Sequence, residues 1–181
     1  MLNVLKALQT CLRPCSNKPK DTYESAGCIF TDGTHVLAGH QPHKKVPIIS
    51  GFGGKKLPTE SNPMDTALRE TIEELFHVEG VDLDIIDDIK GEIMPKRTII
   101  NGSYHAFVYS LTDLERILYV LRLNILKTPL YPGVPGNLQS LLFQRRQDPT
   151  AEVVTLCLLP VGCLNVCKLF REDMKMLGKG V

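Results

Sequence analysis

Residues 66–76, TALRETIEELF, place three glutamates in five positions, Glu70, Glu73 and Glu74, with Arg69 directly before the first. On a helix, like charges three and four residues apart repel, so local stability does not select this run. Either a solvated face tolerates the repulsion, or something positive is meant to sit there. Carboxylate oxygens are the ligands that hard divalent cations prefer, and such cations often bridge substrate phosphates. Three carboxylates at i, i+3 and i+4 can converge on one or two of them. No soft ligand set competes. The histidines at 35, 40, 43, 77 and 105 lack metal-binding spacing. The six cysteines form no C-x-x-C pair, and nothing further supports drawing Cys11, Cys15, Cys163 and Cys167 together around zinc.

Immediately upstream, GFGGKKLPTE (51–60) runs from a strand pattern into a loop with three glycines in four residues. Glycine there permits close backbone approach and unusual dihedrals, and Lys55 and Lys56 suit phosphate charge. The glycine loop followed by the acidic helix resembles the Nudix hydrolase signature, G-x5-E-x7-R-E-U-x-E-E-x-G-U. Gly54 and Glu60 match its first spacing, and Arg69, Glu70, Glu73 and Glu74 match R-E-x-x-E-E. The chain departs from the pattern in three places. Eight residues, not seven, separate Glu60 from Arg69. Thr71 occupies an aliphatic position. Phe76 and His77 stand where the family has glycine and an aliphatic residue, which leaves Gly80 to end the helix about one turn later.

The resemblance implies Glu70, Glu73 and Glu74 as ligands of Mg2+ or Mn2+, with Arg69 paired to Glu60 and orienting them. It implies that Gly53 and Gly54 shape the loop. It also implies a further acid from a later strand or loop, for which Glu152 and Glu92 compete, Glu152 having the better place in the order of elements. The implied reaction is metal-dependent attack of water on phosphorus in a diphosphate linkage, within a nucleotide or another nucleoside-diphosphate-linked substrate. GFGGK resembles the branch that hydrolyses oxidised purine nucleoside triphosphates. Capped RNA is the alternative substrate, since decapping members of the family also carry helical additions. A non-catalytic nucleotide- or RNA-binding module is the third reading. Arg116, Arg122, Arg145 and Arg146 are either RNA contacts or a solvated helix face.

The elements that must position these residues read as follows. AGCIFTDGTHVLAGH (26–40) is two strands around an Asp32-Gly33 turn. KVPIISGF (45–52) is a further strand. Asn62 is a good N-cap, Pro63 suits N1 and Asp65 suits N3, so a helix starts there and runs over 63–79. At about 100° per residue, Met64, Leu68, Ile72 and Leu75 form its packing stripe, and the glutamates point outward. VDLDIIDDIKGEIM (81–94) reads as strand, NGSYHAFVYSL (101–111) as a strand after an Asn-Gly turn, and TDLERILYVLRLNIL (112–126) as a helix with Thr112 and Glu115 at capping-box spacing. TPLYPGVPGN breaks the pattern. LQSLLFQRR is a short helix, and EVVTLCLLPVGCL a strand ending at Pro160. Strands and helices mix irregularly, which implies α+β. The resemblance makes this an α/β/α sandwich around a mixed sheet, with a helical insertion at about 112–149.

With 181 residues, the chain is long enough for one domain, expected over 23–181, after an N-terminal extension at 1–22. The apolar fraction of 43% and charged fraction of 23% suit a globular protein. A formal charge of +1 argues neither for nor against a polyanionic partner. No stretch reaches the roughly 18 apolar residues of a membrane span. Reduced thiols fit a cytoplasmic or nuclear compartment. The opening MLNVLKALQTCLRPCSNKPK is Arg-poor for a mitochondrial presequence and reads as an extension.

Overall fold

The computed structural model describes residues 23–44 and 48–178. The expected extension at 1–22 lies outside the described residues. Seven strands form one sheet: β1 (Ser25–Thr31), β2 (His35–Gln41), β3 (Ile48–Ser50), β4 (Phe52–Lys55), β5 (Arg97–Asn101), β6 (Tyr104–Ser110) and β7 (Thr155–Pro160). The helices are α1 (Pro63–Phe76), α2 (Leu83–Glu92), α3 (Leu111–Leu123), α4 (Leu138–Phe143) and α5 (Lys168–Leu177).

The sheet is mixed. β1 runs parallel to β6 from Ser25↔Tyr104 to Thr31↔Ser110, and every other pairing is antiparallel. β1 and β2 meet at Thr31↔Val36 beside their turn and then part. The space between them is taken by β3, which pairs β2, and β4, which pairs β1, so one stretch of chain changes partner at Gly51. This crossing delivers the glycine loop to the middle of the molecule.

Strand alternation sorts side chains onto two faces. Ala26, Cys28, Phe30, Leu37, Phe107 and Tyr109 join the larger core beneath α1, α2 and α3. Ile29, Val36, Ala38, Ala106 and Val108 join a smaller one with Phe170 and Met174 of α5. Helices therefore cover both faces, and the architecture is α+β. Leu114, Ile117, Leu118 and Leu121 of α3 are buried in the larger core, so this part of the 112–149 segment is core structure.

Several local expectations are corrected. Residues 81–94 form α2, not a strand. Asp82 caps it by accepting from the Asp84 amide at 3.1 Å, and only Ile86 and Ile89 are buried within it, a three-residue interval that helix geometry satisfies. α3 begins one residue earlier than expected. Its capping box is Ser110 with Asp113, whose carboxylate accepts from the Ser110 amide at 2.9 Å, and not Thr112 with Glu115. α1 ends at Phe76 rather than near Gly80, with His77 in the left-handed region at φ 50°. The strand at 97–101 and the helix at 168–177 were not anticipated.

Candidate active site

The N-terminus of α1 is set as its residues demand. The Asn62 side chain accepts from the Met64 amide at 3.0 Å, and Pro63 follows it. From there the helix carries Arg69 inward, where its side chain is almost fully buried, and all five guanidinium N–H groups find acceptors. Nε donates to Glu60 Oε1 at 2.7 Å. Nη1 donates to Glu70 Oε1 at 2.9 Å and Glu73 Oε2 at 2.8 Å. Nη2 donates to the Lys55 carbonyl at 2.9 Å and Glu60 Oε2 at 3.3 Å. The Arg69–Glu60 pair is thus present, and one arginine ties the loop, the helix start and two of the three glutamates together.

Glu60 is buried and receives further hydrogen bonds from the Thr66 hydroxyl at 2.6 Å and the Leu57 amide at 2.7 Å. Burial opposes its ionisation, but Arg69 and these donors outweigh burial and hold its pKa below the ordinary value.

The glutamates do not form an outward, solvated face. Glu74 is only 6% exposed. Its Oε1 accepts from Gln41 Nε2 at 2.8 Å and its Oε2 from the Gly53 amide at 2.9 Å. The helical wheel gives the direction of these side chains but not what covers them, and here β4 does. The Glu70 carboxylate occupies the place a Cβ on Gly54 would need, and a Cβ on Gly53 would strike the β1 backbone at 2.6 Å. The two glycines therefore let backbone lie directly on the acidic side of α1.

Burial first, then the charges of Glu152 and Glu70, push the Glu74 carboxyl up to about 8, against the Gly53 amide and Lys44. Glu70 is also raised by burial, with Arg69 opposing.

Glu70, Glu73, Glu74 and Glu152 line one cavity of about 590 Å3. Glu152 precedes β7, and Lys44 donates to it at 2.6 Å. Glu92 lies elsewhere, in a groove with Asp88 and Leu123. Lys55 contributes its carbonyl, and the Lys56 ammonium sits 4.5 Å from the Tyr23 ring centre rather than in the cavity. Among the described residues the lysine that lines the cavity is Lys44, which the sequence reading missed, as it missed Gln41. Neither has a spacing signal.

Arg145 was expected either in a solvated face or against RNA. It instead donates to the carbonyls of Leu75 and Glu74 at the end of α1, and to the Val153 carbonyl at 2.5 Å, one residue from Glu152. Arg116, Arg122 and Arg146 are exposed.

Among the described residues no three acid, imidazole or thiolate groups are grouped closely enough to hold a metal ion together. In this arrangement Arg69 and Lys44 supply the positive charge. The donors are nevertheless of one chemical kind, carboxylate oxygen, and they line one cavity. That set suits a hard cation such as Mg2+ or Mn2+. No described helix is long and apolar enough to cross a membrane.

No family model matches the sequence, and no curated protein matches it. Several solved structures are similar in fold, two of them as follows. One is a crystal structure of a hydrolase of the NUDIX family from Clostridium perfringens, at TM-score 0.39 and 15% identity, covering 86% of this chain and 95% of that one. The other is a bifunctional NMN adenylyltransferase/ADP ribose pyrophosphatase from Francisella tularensis, complexed with AMP and Mn ion. It matches at TM-score 0.46 and 10% identity over 96% of this chain, which spans only 44% of that protein.

Proposed function

We propose that the chain is a Nudix-type hydrolase that uses Mg2+ or Mn2+ to cleave a diphosphate linkage in a nucleotide or other nucleoside-diphosphate-linked substrate. The observation that carries this reading is the charge balance of the cavity. Glu70, Glu73, Glu79 and Glu152, with the proton-holding Glu74 among them, line it against Lys44, while the Arg69 guanidinium is already shared among Glu60, Glu70 and Glu73. A phosphate oxygen about 4 Å from any one carboxylate is repelled by about 4 kcal/mol at the effective dielectric of a protein surface. An anionic substrate therefore enters only with cations that neutralise the glutamates.

Glu70, Glu73, Glu74 and Glu152 would hold those cations, which when bound polarise a phosphoryl oxygen and lower the pKa of water. The rest is work for the chain itself. Arg69 holds Glu60, Glu70 and Glu73 in fixed relation. Gly53 and Gln41 fix both oxygens of Glu74. In the reaction a water oxygen forms a new bond to phosphorus and gives up a proton to solvent, the bridging P–O bond breaks, and the leaving phosphate oxygen keeps the electron pair.

The test is a panel of nucleoside triphosphates, dinucleoside polyphosphates, ADP-ribose and capped RNA, with products identified by mass. Hydrolysis is expected with Mg2+ or Mn2+, to stop in EDTA, and to return on adding metal. Full turnover in EDTA with no metal retained would remove the mechanism.

A further inference from the structure

α2 and α3 lie side by side on the outside of the larger core, and Asp88, Glu92, Tyr119, Leu123 and Asn124 line the groove between them. Three features set this face apart from the rest of the surface. The first is apolar. Tyr119 and Leu123, one turn apart on α3, are 56% and 63% exposed, and Ile125, just past the end of that helix, is 77% exposed. The second is charge. Asp84, Asp88 and Glu92 recur at intervals of four along α2, a repulsive spacing, and all three are exposed. Arg122 is exposed on the other flank of α3, beside Gly136. Among the described residues no ion pair reaches any of these four. The third is strain. Ile125 lies in the left-handed region at φ 52°. A β-branched residue is costly there, where glycine is at ease. Folding of one copy gives no reason to hold an isoleucine in solvent at that cost.

We propose that this face is an interface between two copies of the chain, related by a two-fold axis running along α3. Such an axis lays the Tyr119–Leu123 seam of one copy on that of the other. It also carries the α2 flank of each copy over the far flank of the second copy's α3. The Asn124 side chain donates to Asp88 at 3.2 Å, which sets Asp88 level with the end of α3, and Glu92 lines the groove with Tyr119. Arg122 of the second copy therefore falls within the span of Asp88 and Glu92 of the first. The pairing occurs twice, as a two-fold interface requires. An axis across α3 would instead set the two acidic rows against each other.

An apolar centre with a charged rim is the usual anatomy of such contacts. The size fits a modest affinity. α2 is about 15 Å long and α3 about 20 Å, so each copy is expected to bury less than the roughly 800 Å2 of a standard interface. The dimer is expected at micromolar concentrations, weakening as salt is added. It needs neither metal nor nucleotide, and it stands or falls independently of the hydrolase reading.

The experiment is sedimentation velocity of the full chain over a concentration series in EDTA. The parent is expected to pass from monomer to dimer across the micromolar range. Leu123→Asp puts a charge in the seam and should weaken association about thirtyfold or more, as losses at central contacts do. Arg122→Glu and Glu92→Arg should each weaken it about tenfold or more by bringing like charges together. The double variant carrying both should recover most of the parent's affinity, because the pair re-forms between copies. These side chains are exposed, and unchanged melting of the dilute monomer checks that each variant folds.

Ile125→Gly separates an interface role from a local one. Relief of the left-handed strain should let the dilute monomer melt at or above the parent, while loss of the apolar side chain weakens the dimer. A parent that stays monomeric throughout the series overturns the proposal, whether the face then takes an unlike protein or nothing. A dimer that Leu123→Asp leaves intact, or a double variant no tighter than its single parents, puts the contact elsewhere and overturns it as well.

Discussion

Two buried acids, Glu60 in the loop before α1 and Glu74 near the end of that helix, show how much the surroundings decide. Arg69 and two further donors hold the first ionised, while the second has two neutral donors and Lys44 set against its burial and two other glutamates. The consequence is a dependence of stability on pH. Glu74 keeps its proton in the folded chain up to about pH 8, whereas its ordinary value is 4.5. Between those values the unfolded chain has already released this proton, so the folded state binds more protons and stability falls as pH rises. Below the window there is no penalty, and above it the penalty is complete. For metal-free protein we expect the unfolding midpoint in urea to decline from about pH 5 to about pH 8. Glu74→Gln should flatten most of that decline and match or exceed the parent at pH 8. Addition of Mg2+ should oppose the decline in the parent and not in the variant. A parent whose midpoint rises across this window would contradict the burial of an uncompensated Glu74.

At the scale of elements, the acidic helix is held at its end by a side chain from a distant part of the chain. α1 finishes in a left-handed His77 without a glycine, and Arg145 takes up the Glu74 and Leu75 carbonyls that the helix leaves free, with Val153 beside them. Arg145→Met preserves much of the apolar stem and removes the donors. We expect a loss of about 2–3 kcal/mol by urea denaturation, because hydrogen bonds to charged donors contribute about 1.5–3 kcal/mol and partly buried carbonyls are left open. A change within 0.5 kcal/mol, the usual range for a surface substitution, would instead mean that water replaces the guanidinium without cost. This arginine also shows where legibility in the sequence stops. Asn62, the glycine loop and the Arg69–Glu60 pair could be read because caps, turns and helix spacing are local or carried by a motif. Arg145, Gln41 and Lys44 reach the site only through tertiary folding, and no spacing reports that. Residues 81–94 were misread because a run such as DLDIIDDI suits both periods when only Ile86 and Ile89 are buried. The helix at 168–177 went unnoticed because no side chain caps its start at Cys167.

For the whole molecule, the sheet divides stability unequally. The larger core gathers most apolar residues of β1, α1, α2 and α3, while α5 rests on the smaller one through Phe170 and Met174. An uncapped helix on a small core is expected to open on its own at a lower free energy than global unfolding. Hydrogen exchange followed by mass spectrometry should therefore show amides of 168–177 exchanging well before those of 66–76. A cation held by α1 and Glu152, as proposed above, would stabilise the global fold by mass action, about 2.7 kcal/mol at a hundredfold excess over its dissociation constant. Mg2+ should thus slow exchange in α1 and leave the local opening of α5 nearly unchanged, because no ligand comes from that helix. If α5 exchanges only with the rest of the chain, the two cores form one cooperative unit. If Mg2+ protects α5 as strongly as α1, the acidic helix and α5 are coupled, and the independent opening of α5 on its smaller core would have to be abandoned.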